Sequence, residues 1–204
     1  IGGEKYKVEI KYYDYQSDTA TAVKLAEKAI TEDNIKLLFG PFGSGVAKAV
    51  SAVTEKYQVP MIAPSASAED VYSEGYKYIF GTFTPDRTLT EPIADIAMAQ
   101  DDAPKTIGII ARNDLFPLSI GKEAKASAEK RGIKVVFFEE YAIGTSDFSP
   151  TLIQLKSHNP DWIFTTGYAN DLIQITRQMK ELDLQPKMLT AIAGAVYKEY
   201  IEGL

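Results

Sequence analysis

The sequence contains no cysteine and a single histidine, His158, in 204 residues. The absence of cysteine excludes disulfides, thiol catalysis and cysteine-rich zinc sites. One histidine argues against a histidine-based metal site or a Ser-His-Asp triad, and its surroundings at 157–160 are typical of an exposed helix end. Paired carboxylates on one loop are also missing. The sequence therefore predicts a protein that is not an enzyme and carries no cofactor.

The sequence also lacks a basic stretch and a long apolar run. Its net charge is -6 with a pI near 5.0, and a nucleic-acid partner would need a basic face. No apolar run approaches the roughly 20 residues that span a bilayer, so no membrane span is predicted in this segment. Because the chain begins Ile1-Gly2-Gly3 without methionine, we expect a piece of a longer, processed protein, and the missing signal peptide says nothing about location.

Patterns typical of strands and helices alternate along the chain. Apolar and charged residues alternate from Tyr6 to Tyr12, which predicts an edge strand with one buried face. Further strands are predicted at 35–39, 59–62, 78–80, 106–111, 133–138, 162–166 and 188–192. The pattern breaks at 101–104 and then restarts. Two such series predict an α/β fold with two Rossmann-like lobes and parallel sheets.

Capping residues predict where several helices begin and end. Ser17 or Asp18 is expected to cap the first helix, Ser149 a later one, and Asn170 the helix built on Leu172, Ile175, Met179 and Leu182. Helical spacing also predicts helices over 46–57, around 89–97 and over 118–131, the last ending before Gly132. We expect Asp171 to complement the dipole of its helix as a first-turn carboxylate.

A glycine-rich turn at 39–45 lies between an apolar strand and an amphipathic helix. Glycines let the backbone approach a ligand, and the N–H groups of the following helix suit a carboxylate or another small anion. The alternative is a tight turn with Ser44 as an ordinary N-cap. No Gly-Lys-Ser/Thr follows, and the spacing differs from the dinucleotide fingerprint, which argues against a nucleotide-binding enzyme.

A second loop, Ala63 to Ala68, follows the next strand, at the edge where open α/β sheets bind ligands. In these motifs the sequence resembles the type I periplasmic substrate-binding proteins of ABC transporters, in the branched-chain amino acid (Leu/Ile/Val) group. The matching motifs, in family order, are Asp14-Tyr15-Gln16-Ser17-Asp18, Gly40 to Gly45, Val59 to Ser67, Phe148-Ser149-Pro150-Thr151-Leu152, Asn159-Pro160-Asp161 and Arg177 to Leu182.

The resemblance implies a ligand held between two lobes. Hydroxyls and backbone N–H groups of the first lobe would hold its carboxylate. The candidate binding residues are Ser44, Gly45, Ser65, Ala66, Ser67, Phe116, Tyr168 and Ala193. The family usually has a tyrosine where Phe116 stands, so a hydroxyl is lost. Tyr168 either closes over the ligand or packs on its helix start.

Residues 190–195 contain no acid, whereas amino-acid binders of the family usually have one there to neutralise the ligand ammonium. An unpaired buried ammonium is costly. Aromatic or aliphatic carboxylates are therefore candidates beside amino acids, and we expect a ligand without an α-amino group to bind at least as well as the matching amino acid.

The resemblance also implies organisation and location. Residues 1–103 would form part of the N-terminal lobe, 104–190 the second lobe, and 191–204 a return segment toward the hinge. The family's first strand and helix would precede residue 1, and that strand would lie between 6–13 and 35–39. The resemblance implies an exported protein, periplasmic or extracellular and with a lipid anchor left open, that passes its ligand to an ABC permease. The alternative is the ligand-sensing domain of a receptor or regulator.

Overall fold

The computed structural model describes residues 2–204 and shows an α/β architecture with two separate parallel sheets. The strands are β1 (Leu38–Phe39), β2 (Met61–Ala63), β3 (Ile79–Gly81), β4 (Thr106–Arg112), β5 (Lys134–Tyr141), β6 (Trp162–Gly167) and β7 (Met188–Ala193). The helices are α1 (Thr19–Thr31), α2 (Ser44–Tyr57), α3 (Asp86–Met98), α4 (Leu115–Lys130), α5 (Ser149–Ser157), α6 (Ala169–Glu181) and α7 (Lys198–Glu202). Short 3-10 turns lie at Glu69–Tyr72 and Gly194–Val196.

The two sheets are built from successive strand–helix units. The first sheet has the order β1-β2-β3 and the second the order β5-β4-β6-β7, with every adjacent pair parallel. The predicted α/β class with parallel sheets is confirmed. Each parallel pair places its carboxyl ends at one edge of its sheet, which is where ligands bind in open α/β folds.

The second sheet is covered by helices on both faces, which explains its long apolar strands. Ile107 and Ile109 of β4 pack with α3 and α4, whereas Ile110 lies in the core formed with α5 and α6. Trp162 belongs to the first of these cores and is 1% exposed. Its indole N–H donates to the Thr190 hydroxyl over 3.0 Å, so the polar edge of the ring is satisfied.

The first sheet is much smaller, with strands of two or three residues. Its core is filled largely by alanine and valine from α1 and α2, with Met61 fully buried at the start of β2. Small side chains bury little apolar area each. The first sheet therefore rests on a thinner core than the second.

The edge strand predicted from Tyr6 to Tyr12 is wrong for the described residues. This segment forms no ladder with any described strand, and Val8 and Tyr12 are 80% and 85% exposed. Side chains hold its end, since Lys11 pairs with Asp33 and the Tyr13 hydroxyl donates to the same carboxylate over 2.8 Å. An alternating pattern becomes a strand only when a neighbouring strand completes its backbone hydrogen bonds.

Helix α3 precedes the predicted lobe junction at 101–104 but packs with the second sheet. Its Ala94 and Ala97 are buried in the same core as Ile107, Ile120 and Trp162. The backbone between the end of β3 and the start of α3, residues 82–85, therefore connects the two cores.

Candidate functional site

Two loops of the first sheet are joined by reciprocal hydrogen bonds. The Gly43 N–H donates to the Ser65 hydroxyl over 3.3 Å, and the Ala68 N–H donates to the Ser44 hydroxyl over 3.2 Å. Gly43 has φ 92°, a conformation that favours glycine. The structure thus brings the turn before α2 against the loop that follows β2.

Ser44 is not the N-cap that the alternative interpretation predicts. Helix α2 begins at Ser44 with Gly43 as its N-cap, and the Ser44 hydroxyl is directed to Ala68 instead. Ala47 donates the first backbone hydrogen bond of the helix, to Gly43. Within residues 2–204, the N–H groups of Ser44, Gly45 and Val46 therefore remain for another acceptor. A small anion can accept hydrogen bonds from these N–H groups and is favoured by the positive end of the helix dipole.

The same turn faces the second sheet. A Cβ added to Gly45 would lie 3.5 Å from Asp114 Oδ1 and 3.7 Å from Leu115 Cβ, at the start of α4. A Cβ added to Gly43 would lie 3.9 Å from the Tyr168 hydroxyl. The two glycines thus lie where the two halves of the molecule meet.

A buried ion pair stands on the second sheet's side of this contact. Arg112 ends β4, and its Nη1 donates to Asp171 Oδ2 over 2.8 Å. Asp171 also accepts the Tyr168 N–H over 3.0 Å, which fixes the start of α6. The guanidinium lies 4.8 Å from the centre of the Tyr168 ring. Burial, together with the nearby Asp114 carboxylate, raises the pKa of Tyr168 to about 12, so its hydroxyl stays protonated at neutral pH.

An open hollow of about 400 Å³ lies beside this pair. Its lining residues are Arg112, Tyr168, Ala169, Asn170, Asp171, Tyr197 and Glu199. One arginine, two tyrosines and several carboxyl or amide groups can serve either hydrogen-bonding or aromatic parts of a ligand.

The remaining predicted residues are placed differently. Phe116 packs against the core shared by α3, α4 and the second sheet and does not line the hollow. Ala193 ends β7 with φ 74°. A Cβ on the next residue, Gly194, would lie 2.4 Å from the carbonyl carbon of Tyr168, so the end of β7 abuts the start of α6. The structure therefore brings Ala193 close to Tyr168 and places Phe116 in a core.

Ser67 faces a residue that the sequence interpretation missed. Asp86, the first residue of α3, is fully buried, and its N–H donates to the Ser67 carbonyl over 3.2 Å. The Ser67 hydroxyl and both Asp86 carboxyl oxygens are buried without a hydrogen-bond partner among the described residues. Arg112 was missed as well. In the sequence, Arg112 stands out only as a charged residue directly after the apolar run at 106–111.

Residues 2–204 contain neither a cluster of candidate metal ligands nor a helix suited to crossing a membrane. No group of three or more histidine, cysteine, aspartate or glutamate side chains is arranged to hold a metal ion. No helix in this range combines the length and apolar character needed to cross a membrane.

Comparison with known proteins gives a consistent result. The sequence model of a family described as "Periplasmic binding protein" matches residues 1–204. A leucine-, isoleucine-, valine-, threonine- and alanine-binding protein of Pseudomonas aeruginosa is 31% identical over 89% of this chain and 51% of its own length. The chain thus spans about half the length of the curated relatives it matches.

Solved structures share the fold. A branched-chain amino acid transporter substrate binding protein of Streptococcus pneumoniae, in complex with isoleucine, matches with a TM-score of 0.84 at 23% identity, covering 96% of this chain and 55% of that one. A solute binding protein of R. palustris in complex with 4-hydroxybenzoate matches with a TM-score of 0.76 at 20% identity, covering 90% and 49%.

Proposed function

Because the chain belongs to the periplasmic binding protein family, and its resemblance to the branched-chain amino acid group is confirmed, we propose that it binds a small carboxylate between its two halves. The family consists of binding proteins, and this chain acts in the same way, as a capture protein rather than a catalyst. Ligand that touches both halves stabilises the closed arrangement over the open one.

The free N–H groups at the start of α2 carry this proposal. Three consecutive backbone N–H donors and the positive end of the helix dipole lie at the start of α2. The loop after β2 is hydrogen-bonded to the same turn through the hydroxyls of Ser44 and Ser65. A desolvated carboxylate needs several such partners, and hydrogen bonds to a charged group contribute roughly 1.5–3 kcal/mol each. Tyr168 and Leu115 supply the opposing wall.

The ligand is a carboxylic acid for which an α-amino group is not required. Asp171 is already engaged by Arg112 and by the Tyr168 N–H, so it is not available to an ammonium group. Relatives include a Leu/Ile/Val-binding protein and a structure holding 4-hydroxybenzoate, so both amino acids and aromatic acids belong in the test.

The surrounding system follows from the family. We place the protein outside the cytoplasm, in the periplasm or beyond, where it delivers its ligand to an ABC permease. Residues 82–85 form one crossing between the lobes, because α3 lies in the core of the second sheet. This boundary precedes the one at 101–104 that the sequence pattern favours.

The test is calorimetric titration of the full chain with leucine, its keto acid and 4-hydroxybenzoate. Ser44→Ala and Ser67→Ala should each weaken binding roughly 10- to 100-fold, the equivalent of one charge-assisted hydrogen bond. Ser51→Ala is the matched control, since Ser51 is buried in α2 and its hydroxyl donates to the Lys48 carbonyl of the same helix.

Urea unfolding of each variant separates lost affinity from lost stability. Unchanged affinity in both site variants would refute a role for the two hydroxyls, and failure of all three acids to bind would refute the anion site at the backbone N–H groups of α2. A clear preference for leucine over its keto acid would refute the proposal that an α-amino group is not required, and Glu199→Gln would then test the exposed carboxylate of the hollow as the ammonium partner.

A further inference from the structure

The most unusual group in the molecule is the carboxyl of Asp86. The side chain is fully buried, and neither oxygen has a hydrogen-bond partner among residues 2–204. No lysine or arginine of the described chain forms an ion pair with it. A buried carboxylate without a partner is among the most costly arrangements a protein can hold.

The helix start does not compensate this charge. Asp86 is the first residue of α3, where a carboxylate usually caps the free N–H groups. Here Pro85 is the N-cap, and no side-chain cap is formed. The N–H of Asp86 itself is donated away, to the Ser67 carbonyl.

The surroundings favour a neutral carboxyl. The groups around it are the Ser67 hydroxyl on the loop after β2, Glu69 on the following 3-10 turn, and Ser119 and Glu123 on α4. Burial raises the pKa of Asp86 and the Glu69 charge raises it further, whereas the Ser119 and Ser67 hydroxyls lower it.

Glu123 on α4 is placed similarly. Burial raises the pKa of Glu123, and Glu69, Asp86 and Glu91 raise it further, while Arg87 lowers it. Arg87 is exposed. Carboxyl groups of the 3-10 turn, of α3 and of α4 therefore lie near one another, and the cation beside them, Arg87, is exposed.

We propose that Asp86 keeps its proton in the folded protein and acts as a pH-controlled latch between the Ser65–Ser67 loop and α3. The neutral acid places no charge in this buried junction, where the Asp86 N–H donates to the Ser67 carbonyl. Ionisation places an unpaired charge near Glu69 and Glu123 and loosens the contact between the loop after β2 and α3.

The latch also bears on the ligand, and this part rests on the proposed function. Ser67 is a candidate carboxylate-binding residue, and a negative charge on Asp86 would repel an anion placed there. Asp86 is thus a positioning residue, since it acts through Ser67. Affinity for a carboxylate should fall as pH rises through the titration of Asp86.

The sign of the stability effect follows from the raised pKa. In the unfolded chain Asp86 ionises near pH 4. In the folded chain it resists ionisation, so its contribution to stability is complete below that pH and is lost as pH rises through the folded pKa. The unfolding constant of the wild type should rise by up to about tenfold per pH unit in this window.

The experiment compares the full chain with Asp86→Asn, which keeps the shape but cannot ionise, and with Glu123→Gln as a neighbouring control. Urea unfolding is measured from pH 4 to 8. The wild type and Glu123→Gln should lose stability with rising pH relative to Asp86→Asn. Parallel pH profiles for the wild type and Asp86→Asn would overturn the latch.

Infrared spectroscopy gives a second measurement that does not depend on the stability of the variant. Above about pH 5 exposed carboxyls are ionised, and the wild type should retain a carboxylic-acid C=O band that is weaker in Asp86→Asn, where any remaining band belongs to Glu123. Absence of that band from the folded wild type would refute the proposal that Asp86 keeps its proton. Both measurements need no ligand, so they decide the latch even if the carboxylate-binding proposal fails.

Discussion

Arg112 and Asp171, 59 residues apart in the chain, form the best-buried ion pair of the described residues. Arg112 ends the central strand β4, and Asp171 lies in the first turn of α6. The expectation that Asp171 simply complements its helix dipole was therefore incomplete. Its carboxylate ties the end of one strand to the helix that follows the neighbouring strand.

Removing one partner of this pair should be strongly destabilising. Asp171→Ala leaves the largely buried Arg112 guanidinium with only the more distant Asp114 carboxylate, 3.9 Å away, and frees the Tyr168 N–H, so the free energy of unfolding should fall by about 3 kcal/mol. Urea unfolding at pH 7 measures this fall in the free energy of unfolding. Glu202→Ala is the control, because the Lys198–Glu202 pair is exposed and should contribute within about 0.5 kcal/mol. Equal losses in both variants would show that burial of the pair is irrelevant.

Two adjacent residues at the end of β7 should respond in opposite directions. Ala193 has φ 74°, so Ala193→Gly should relieve backbone strain and raise stability by about 1 kcal/mol. Gly194→Ala should lower stability by about 1–3 kcal/mol, because the new Cβ would lie 2.4 Å from the Tyr168 backbone. Thermal unfolding of the two variants is sufficient. The same sign for both would contradict the backbone geometry described at this turn.

Asp161 should set part of the acid sensitivity of the second sheet. Its carboxylate accepts the N–H groups of Lys105 and Thr106 over 2.9 Å and 3.2 Å. The Lys105 N–H, ahead of the Lys187 ammonium, holds the pKa of Asp161 below its ordinary value. The folded pKa lies below the unfolded one, so this stability is present above about pH 4 and is lost as pH falls through the folded pKa.

Unfolding of Asp161→Asn between pH 2 and 7 tests this expectation. The variant should be less stable at pH 7 and should lose less stability on acidification than the wild type. The exposed Asp101→Asn serves as the control and should follow the wild type throughout. If Asp161→Asn lost as much stability on acidification as the wild type, the acid sensitivity could not be attributed to Asp161.

Hydrogen exchange should divide the chain unevenly. Amides of β4 and β6 lie in a sheet covered on both faces and should exchange slowest. Amides of residues 5–13 have no backbone hydrogen bonds within the described chain and should exchange almost freely. Mass spectrometry after deuterium labelling resolves these segments. Protection of residues 5–13 equal to that of β4 would show that this segment pairs in solution.

The sequence pattern located the strands well wherever the apolar run is continuous. The predicted strands at 106–111 and 162–166 differ from β4 and β6 by one residue. Continuous runs are informative because a strand buried on both faces needs apolar residues at every position. Of the two expected caps of the first helix, Ser17 and Asp18, Asp18 takes the position, and its carboxylate accepts the Thr21 N–H over 2.7 Å.

Tertiary contacts explain the errors. Helices expected to be capped by Ser149 and Asn170 begin after Phe148 and Tyr168 instead. Tyr168 takes this position because Asp171 accepts its N–H. Arg112 and Asp86 were missed because their surroundings come from distant parts of the chain: Asp171 for one, Ser119 and Glu123 for the other. Local spacing carries no record of such pairs.

The sole tryptophan, Trp162, lies in the second sheet's core. Its fluorescence therefore reports the unfolding of the second half of the molecule and does not report the unfolding of the first half. Circular dichroism, by contrast, averages over helices from both halves. If the thinner core around β1–β3 melts first, the two optical signals will give different midpoints. The single tryptophan, excited at wavelengths where the twelve tyrosines do not absorb, thus tests whether the two halves unfold as one cooperative unit.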